Sequence, residues 1–144
     1  MTTLSTEMVH ATAVSIHGRG VLIEGRSGSG KSDLALRLID RGALLVSDDQ
    51  VLLTREGARL IATAPATIAG KIEVRGLGIL DHYHRERVEI GLIVRLDDAV
   101  ERMPDAPEAH SIAGVAVPVV TVLPFEASAP IKVELALRIH GLPA

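Results

Sequence analysis

The chain of 144 residues contains no cysteine and no tryptophan. Without thiols it has no disulfide framework, no thiolate metal site and no cysteine nucleophile, which suits a reducing compartment. Tyr83 and Phe125 are the whole aromatic complement, about 1% of residues. A core must therefore come from Val, Ile, Leu and Ala, and serial base stacking along a single-stranded nucleic acid lacks its platforms. Positive charge is not in excess either. Fifteen Lys and Arg against 18 Asp and Glu give a net charge of −3, so no overall field favours nucleic acid or an anionic membrane. Long apolar runs are missing too: Ile112–Phe125 is interrupted by Gly114, Pro118 and Pro124 and is too short to cross a bilayer. The first 20 residues lack a basic segment followed by an apolar one, so no secretory leader is expected. What remains, 47% hydrophobic and 23% charged, predicts one folded domain over residues 1–144, soluble and cytoplasmic, of the α/β class.

The pattern of elements supports that class. The first seven residues are polar and are expected to fray. Strands are expected at Thr12–Ile16 and Val21–Glu24, joined by the turn His17-Gly18-Arg19-Gly20. A helix follows, with Leu34, Ala35, Leu38 and Ile39 on one face and Arg41-Gly42 at its end, the glycine as a C′ residue. Ala43–Val46 is an apolar run of buried-strand type. Beyond it the chain turns β-rich. Gln50–Thr54 and Arg59–Thr63 flank the turn Glu56-Gly57, Pro65–Lys71 is a loop, and Val88–Leu96 and Val115–Leu123 are strands. Val100–Ser111, with Pro104 and Pro107, is expected as an exposed excursion. Ser128-Ala129-Pro130 opens a last helix, with Ser128 as N-cap and Ile131, Leu135 and Ile139 as its apolar stripe.

Gly25-Arg26-Ser27-Gly28-Ser29-Gly30-Lys31-Ser32 fits G-x-x-x-x-G-K-[ST] at every position. A random chain of this length would match roughly once in a few hundred. Here an apolar strand precedes the loop and an amphipathic helix follows it, as the motif requires. Glycines let the backbone form a concave nest of N–H groups, and the helix start adds its positive dipole end. Lys31 would reach the β- and γ-phosphates of a nucleotide, and the Ser32 hydroxyl would ligate Mg²⁺.

Leu44-Leu45-Val46-Ser47-Asp48-Asp49 then places two carboxylates 17 and 18 positions beyond Lys31. Adjacent carboxylates repel unless a cation lies between them or one serves as a base. Together with this pair, three blocks resemble the catalytic C-terminal domain of the HPr kinase/phosphorylase family. They are His10, fifteen positions before Gly25, with GVLIEGRSGSGKS; RGALLVSDDQV; and IEVRGLGILD at Ile72–Asp81. The resemblance implies a P-loop core related to that of phosphoenolpyruvate carboxykinase, with a β-rich remainder. It implies Asp49 as the group that takes the proton of a serine hydroxyl, His10 near the transferred phosphate, and Asp48 and Glu73 with Ser32 around Mg²⁺. Arg75 would stabilise phosphoryl charge or pair with Glu73, and Arg102, in Glu101-Arg102-Met103, matches a catalytic arginine. ATP is the implied phosphoryl donor, the phosphocarrier protein HPr the implied partner, and a homo-oligomer is compatible with it. The family's long form has a further N-terminal domain; this chain resembles the short form.

Two segments depart from the family. Asp81-His82-Tyr83-His84-Arg85 replaces an apolar stretch and reads as a solvated loop rather than a metal site. Leu123-Pro124-Phe125-Glu126-Ala127-Ser128 stands where the family has an arginine-bearing loop that serves dephosphorylation. With both arginines gone and Glu126 present, weak phosphorolysis is expected. The reading that leads is an ATP-dependent serine kinase acting on HPr. A small-molecule kinase and a nucleotide-sensing module with little turnover are the alternatives, separable by measuring phosphate transfer beside nucleotide affinity.

Overall fold

The computed structural model describes residues 6–104 and 106–143. Its chain order is β1 (Thr6–Val9), β2 (Ala11–Ile16), β3 (Arg19–Glu24), α1 (Lys31–Asp40), β4 (Leu44–Ser47), β5 (Val51–Glu56), β6 (Arg59–Thr63), a 3₁₀ turn (Ala66–Ile68), β7 (Lys71–Val74), β8 (Gly78–Asp81), β9 (Arg87–Leu96), β10 (Glu108–Ile112), β11 (Val115–Val122) and α2 (Ala129–His140). Nine strands form one mixed, branched sheet, ordered β1-β5-β6-β9-β3-β2-β4, while β11 pairs with β9 and β10 with β11. The branch point is the long β9. Its first residues pair antiparallel with β6, from Arg87 to Glu89, and its last pair parallel with β11, from Ile93 to Leu96.

Direction in the sheet positions the site. Strands β3, β9 and β11 run parallel, and β4 points the same way because both it and β3 are antiparallel to β2. Their carboxyl ends therefore share one edge, which emits the loop after Glu24, Ser47-Asp48-Asp49, Asp97-Asp98 and Leu123–Ser128. The start of β2 returns there too, with Ala11 opposite Glu24. Ligands of α/β sheets bind at this edge, where loops leave the strand ends together.

Alternation along the strands divides the core into two layers. Val14, Val21, Ile23, Leu45, Leu92 and Val94 face the helices, meeting Leu34, Ala35 and Leu38 of α1 and Val133, Ala136 and Leu137 of α2. Leu22, Val46 and Ile93 point the other way, into a layer closed by Val51, Leu53, Leu60, Val88, Val115 and Val117 as the sheet curls over itself. Strand β2 is buried along its whole length.

Helix α1 ends as its glycine predicts. Gly42 has φ of 109°, Ala43 N–H donates to the Leu38 carbonyl and Gly42 N–H to that of Ile39, both at 3.0 Å. These are the two bonds of a Schellman cap.

Five expectations need correction. Thr6 and Glu7 are not frayed: β1 pairs with β5, Thr6 opposite Thr54, while residues 1–5 lie outside the described residues. The excursion Val100–Ser111 ends in a strand, since β10 pairs with β11 and closes the sheet. On α2, Ile131, Leu135 and Ile139 face solvent, and Ala129, Val133, Ala136 and Leu137 face the core. Both faces of this helix carry apolar residues at helical spacing, so periodicity did not choose between them; the smaller residues let α2 approach the sheet. Ser128 occupies the N-cap position in αR geometry without a side-chain cap bond. The segment 82–85 is not simply solvated, because His84 bridges to Leu45 and Arg85 N–H donates to the Leu45 carbonyl at 2.8 Å.

Candidate functional site

Gly25–Gly30 forms a tight loop between β3 and α1. Ser29 N–H donates to the Arg26 carbonyl at 2.9 Å, and Gly28 and Gly30 have φ of 79° and 101°. Two glycines are needed for space. A Cβ on Gly25 would lie 2.5 Å from Ser29 Oγ, and one on Gly30 would lie 3.0 Å from the Phe125 ring. The Ser29 hydroxyl is buried without a hydrogen-bond partner. Gly30 is the N-cap of α1 and has no side chain to occupy the helix start, so the first-turn N–H groups stay available to an anion. Lys31 closes the loop: its ammonium donates to the carbonyls of Gly25 at 2.9 Å and Arg26 at 3.0 Å. An ammonium has three donors, so one remains for a ligand oxygen.

On the flank toward β4, the polar groups are tied together. Asp48 is 5% exposed. Its Oδ1 accepts from Ser32 Oγ at 2.6 Å and from Thr12 Oγ1 at 2.9 Å, and its Oδ2 accepts from the Glu73 N–H at 3.0 Å. Three donors hold the carboxylate in one orientation, which charge-assisted bonds make stiff. Thr12 is fully buried in β2 and also accepts from the Asp49 N–H at 3.3 Å. Asp49 itself is exposed and has φ of 68°. That left-handed conformation, tolerated by Asp more than by most residues, lets the chain turn directly after Asp48. Thus Ser32, Asp48 and Glu73 meet, with Glu73 joining through its main chain while its side chain is exposed. Arg75 is exposed on the β7–β8 turn. Thr12 was missed by sequence reasoning; a hydroxyl inside a mostly apolar strand was the available signal.

On the other flank lies an open cleft of about 660 Å³. Its walls are the loop from Gly25 to Ser29, His10, Glu24, Arg95–Asp98, Pro124 and Phe125. Arg95 is held by Glu24 at 3.4 Å and Glu108 at 3.3 Å. His10 lines this cleft as an exposed side chain. Arg102, by contrast, is exposed in the stretch before β10 and is not part of the cleft wall. Nor does Glu126 line it. Its carboxylate pairs with Lys132 at 2.7 Å, so the repulsion of an incoming anion expected of it has no geometric basis. Sequence reasoning did not find Arg95, Asp97 and Asp98, which look like any strand end.

Among the described residues no three histidine or acidic side chains converge as a ready-made metal centre. The oxygen donors around Asp48 nonetheless suit Mg²⁺, which is commonly held by one or two carboxylates together with substrate phosphates rather than by an all-protein cage.

Comparison with known proteins agrees with the geometry. Residues 2–137 match the family model described as HPr Serine kinase C-terminal domain. An HPr kinase/phosphorylase of Lacticaseibacillus casei is 36% identical over 91% of this chain, and one of Limosilactobacillus reuteri is 39% identical over 79%. The chain spans less than half of those relatives, 43% and 40% of their lengths. The solved Hpr(Ser) kinase/phosphatase of Coxiella burnetii superposes with a TM-score of 0.81 at 34% identity, covering 93% of this chain and 95% of that one.

Proposed function

The chain belongs to the HPr serine kinase C-terminal domain family, and from that premise we propose that it is an ATP-dependent protein kinase that phosphorylates a serine of the phosphocarrier HPr. The observation that carries the reading is the junction of Ser32, Asp48 and Asp49: a helix-start loop built for phosphates is joined through a fixed carboxylate to an exposed one. The loop Gly25–Ser32 is read as a P-loop of the carboxykinase-related type. Its N–H groups would cradle the phosphates, and the remaining Lys31 donor would reach a phosphate oxygen.

Ser32, Asp48 and Glu73 would hold Mg²⁺, which, when bound, offsets negative charge on the transferring phosphoryl group. Asp48 keeps Ser32 oriented at 2.6 Å. Asp49, exposed beside it, takes the proton from the incoming serine hydroxyl as that oxygen attacks the γ-phosphorus. His10, exposed on the cleft wall beside the loop, would donate to a phosphate oxygen. The reverse reaction needs a second phosphate dianion beside the phosphoserine, and hence cations held close to both. The segment Leu123–Ser128 offers the cleft Pro124 and Phe125 and no cation, so we propose weak phosphorolysis.

Asp49→Asn tests the chemistry. The amide keeps the shape but accepts no proton, so transfer to HPr is expected to fall roughly 10²- to 10⁴-fold, the range for a lost general base, while ATP affinity changes little. An unaltered transfer rate refutes the role of Asp49.

A further inference from the structure

The cleft wall holds an apolar feature that phosphate binding does not use. Phe125, one of the two aromatic residues of the chain, is 71% exposed and lines the same cleft as the loop. Leaving a phenyl ring in water forgoes the favourable burial of its apolar surface. Its backbone is clamped on both sides. Arg37 of α1 donates to the carbonyl of Pro124 through Nη2 and to that of Glu126, at 3.1 Å, through Nη1. Glu126 is held in turn by Lys132, and Ala129 N–H bonds to the Glu126 carbonyl at 3.0 Å. The ring edge lies over Gly30, where an added Cβ would be 3.0 Å and 3.1 Å from two ring carbons. An exposed ring on a rigid backbone, set against the helix start that receives phosphates, is a preformed platform with little ordering left to lose on binding.

We propose that Phe125 is the base platform of the nucleotide site: it stacks on the purine of the nucleotide whose phosphates occupy Gly25–Ser32, with Pro124 extending the apolar surface. The inference rests on the nucleotide-binding reading of that loop and adds the residue that receives the base. Base–aromatic stacking depends on the π-face and not on the base edge. The platform therefore distinguishes a nucleotide from a bare polyphosphate and distinguishes poorly between adenine and guanine.

Titration calorimetry with Mg²⁺-ATP and with Mg²⁺-tripolyphosphate separates the inference from its premise. In the wild type ATP should bind more tightly than tripolyphosphate. Phe125→Ala should weaken ATP by about 5- to 100-fold, the span of one lost stacking contact, and leave tripolyphosphate within about twofold. Phe125→Tyr should restore ATP affinity. Equal weakening of both ligands would make Phe125 a support of the loop only, and unchanged ATP affinity would remove it from the site; either result overturns the platform. Binding of neither ligand by the wild type would overturn the loop reading and the platform with it.

Discussion

The two flanks of the Gly25–Ser32 loop are built on opposite principles. Toward β4, Thr12, Ser32 and the Glu73 N–H converge on one buried carboxylate, and every bond is 3.0 Å or shorter. Toward β9 and β11 the charged side chains are held only by longer ion pairs, Arg95 at 3.4 Å from Glu24 and 3.3 Å from Glu108. Arg26 and Asp98, the ion pair nearest the loop, are 3.9 Å apart with both side chains about 90% exposed. Fixed donors and acceptors serve chemistry, because a reacting group must be held in place before the reaction. A wide cleft with few internal bonds serves ligand entry, where binding supplies the order. On the proposed function the flanks divide chemistry from capture, with the loop between them as the shared anchor.

Removing that anchor should have the largest effect. Lys31→Ala should weaken Mg²⁺-ATP by about 100-fold or more while the far-UV spectrum and melting temperature stay near wild type, since the ammonium touches only loop carbonyls. Retained affinity would show that the loop does not bind phosphates. Next comes the contrast between the flanks. Asp48→Ala strands two hydroxyls and an N–H in a buried place and should cost about 2–3 kcal/mol in denaturant unfolding. Asp98→Ala, on the open side, should stay within about 0.5 kcal/mol. Equal costs would erase the distinction. A smaller effect than at Asp48 is expected at the clamp of the cleft wall. Arg37→Ala loses two bonds to carbonyls and its pair with Asp33 at 3.1 Å, and should cost about 1 kcal/mol. A loss above about 3 kcal/mol would mean that the wall is part of the core.

The same contrast explains what the sequence made legible. The fixed flank is written in short, contiguous strings: a phosphate loop needs glycines where the backbone turns, and Asp48-Asp49 ends an apolar strand. Strands β2, β3, β4 and β9 are read from apolar runs because each is buried in the sheet. The open flank, apart from His10, to which the family resemblance already pointed, is assembled from Arg95, Asp98 and Phe125, which lie far apart in the chain and carry no local motif. Only the sheet's parallel order brings their strand ends together. Thr12 was hidden for a related reason, since its partners lie 36 and 37 positions away. β10 was missed because Glu108-Ala109-His110-Ser111 is polar, and it is a strand by virtue of the edge that β11 offers it. On α2, two apolar faces competed, and packing against α1 and β9 decided between them.

The proposed transfer of phosphate to a protein serine is tested by following the phosphate itself. Purified chain, Mg²⁺ and ATP labelled at the γ-phosphate are incubated with purified HPr, and the labelled residue is mapped by mass spectrometry. In a second arm, HPr already phosphorylated on serine is incubated with Mg²⁺ and inorganic phosphate. Label is expected on a single serine of HPr, with return of that phosphate far slower than its placement. ATP binding without label on HPr would contradict the kinase assignment, and rapid phosphate-dependent release with pyrophosphate as product would contradict the reading of the cleft wall.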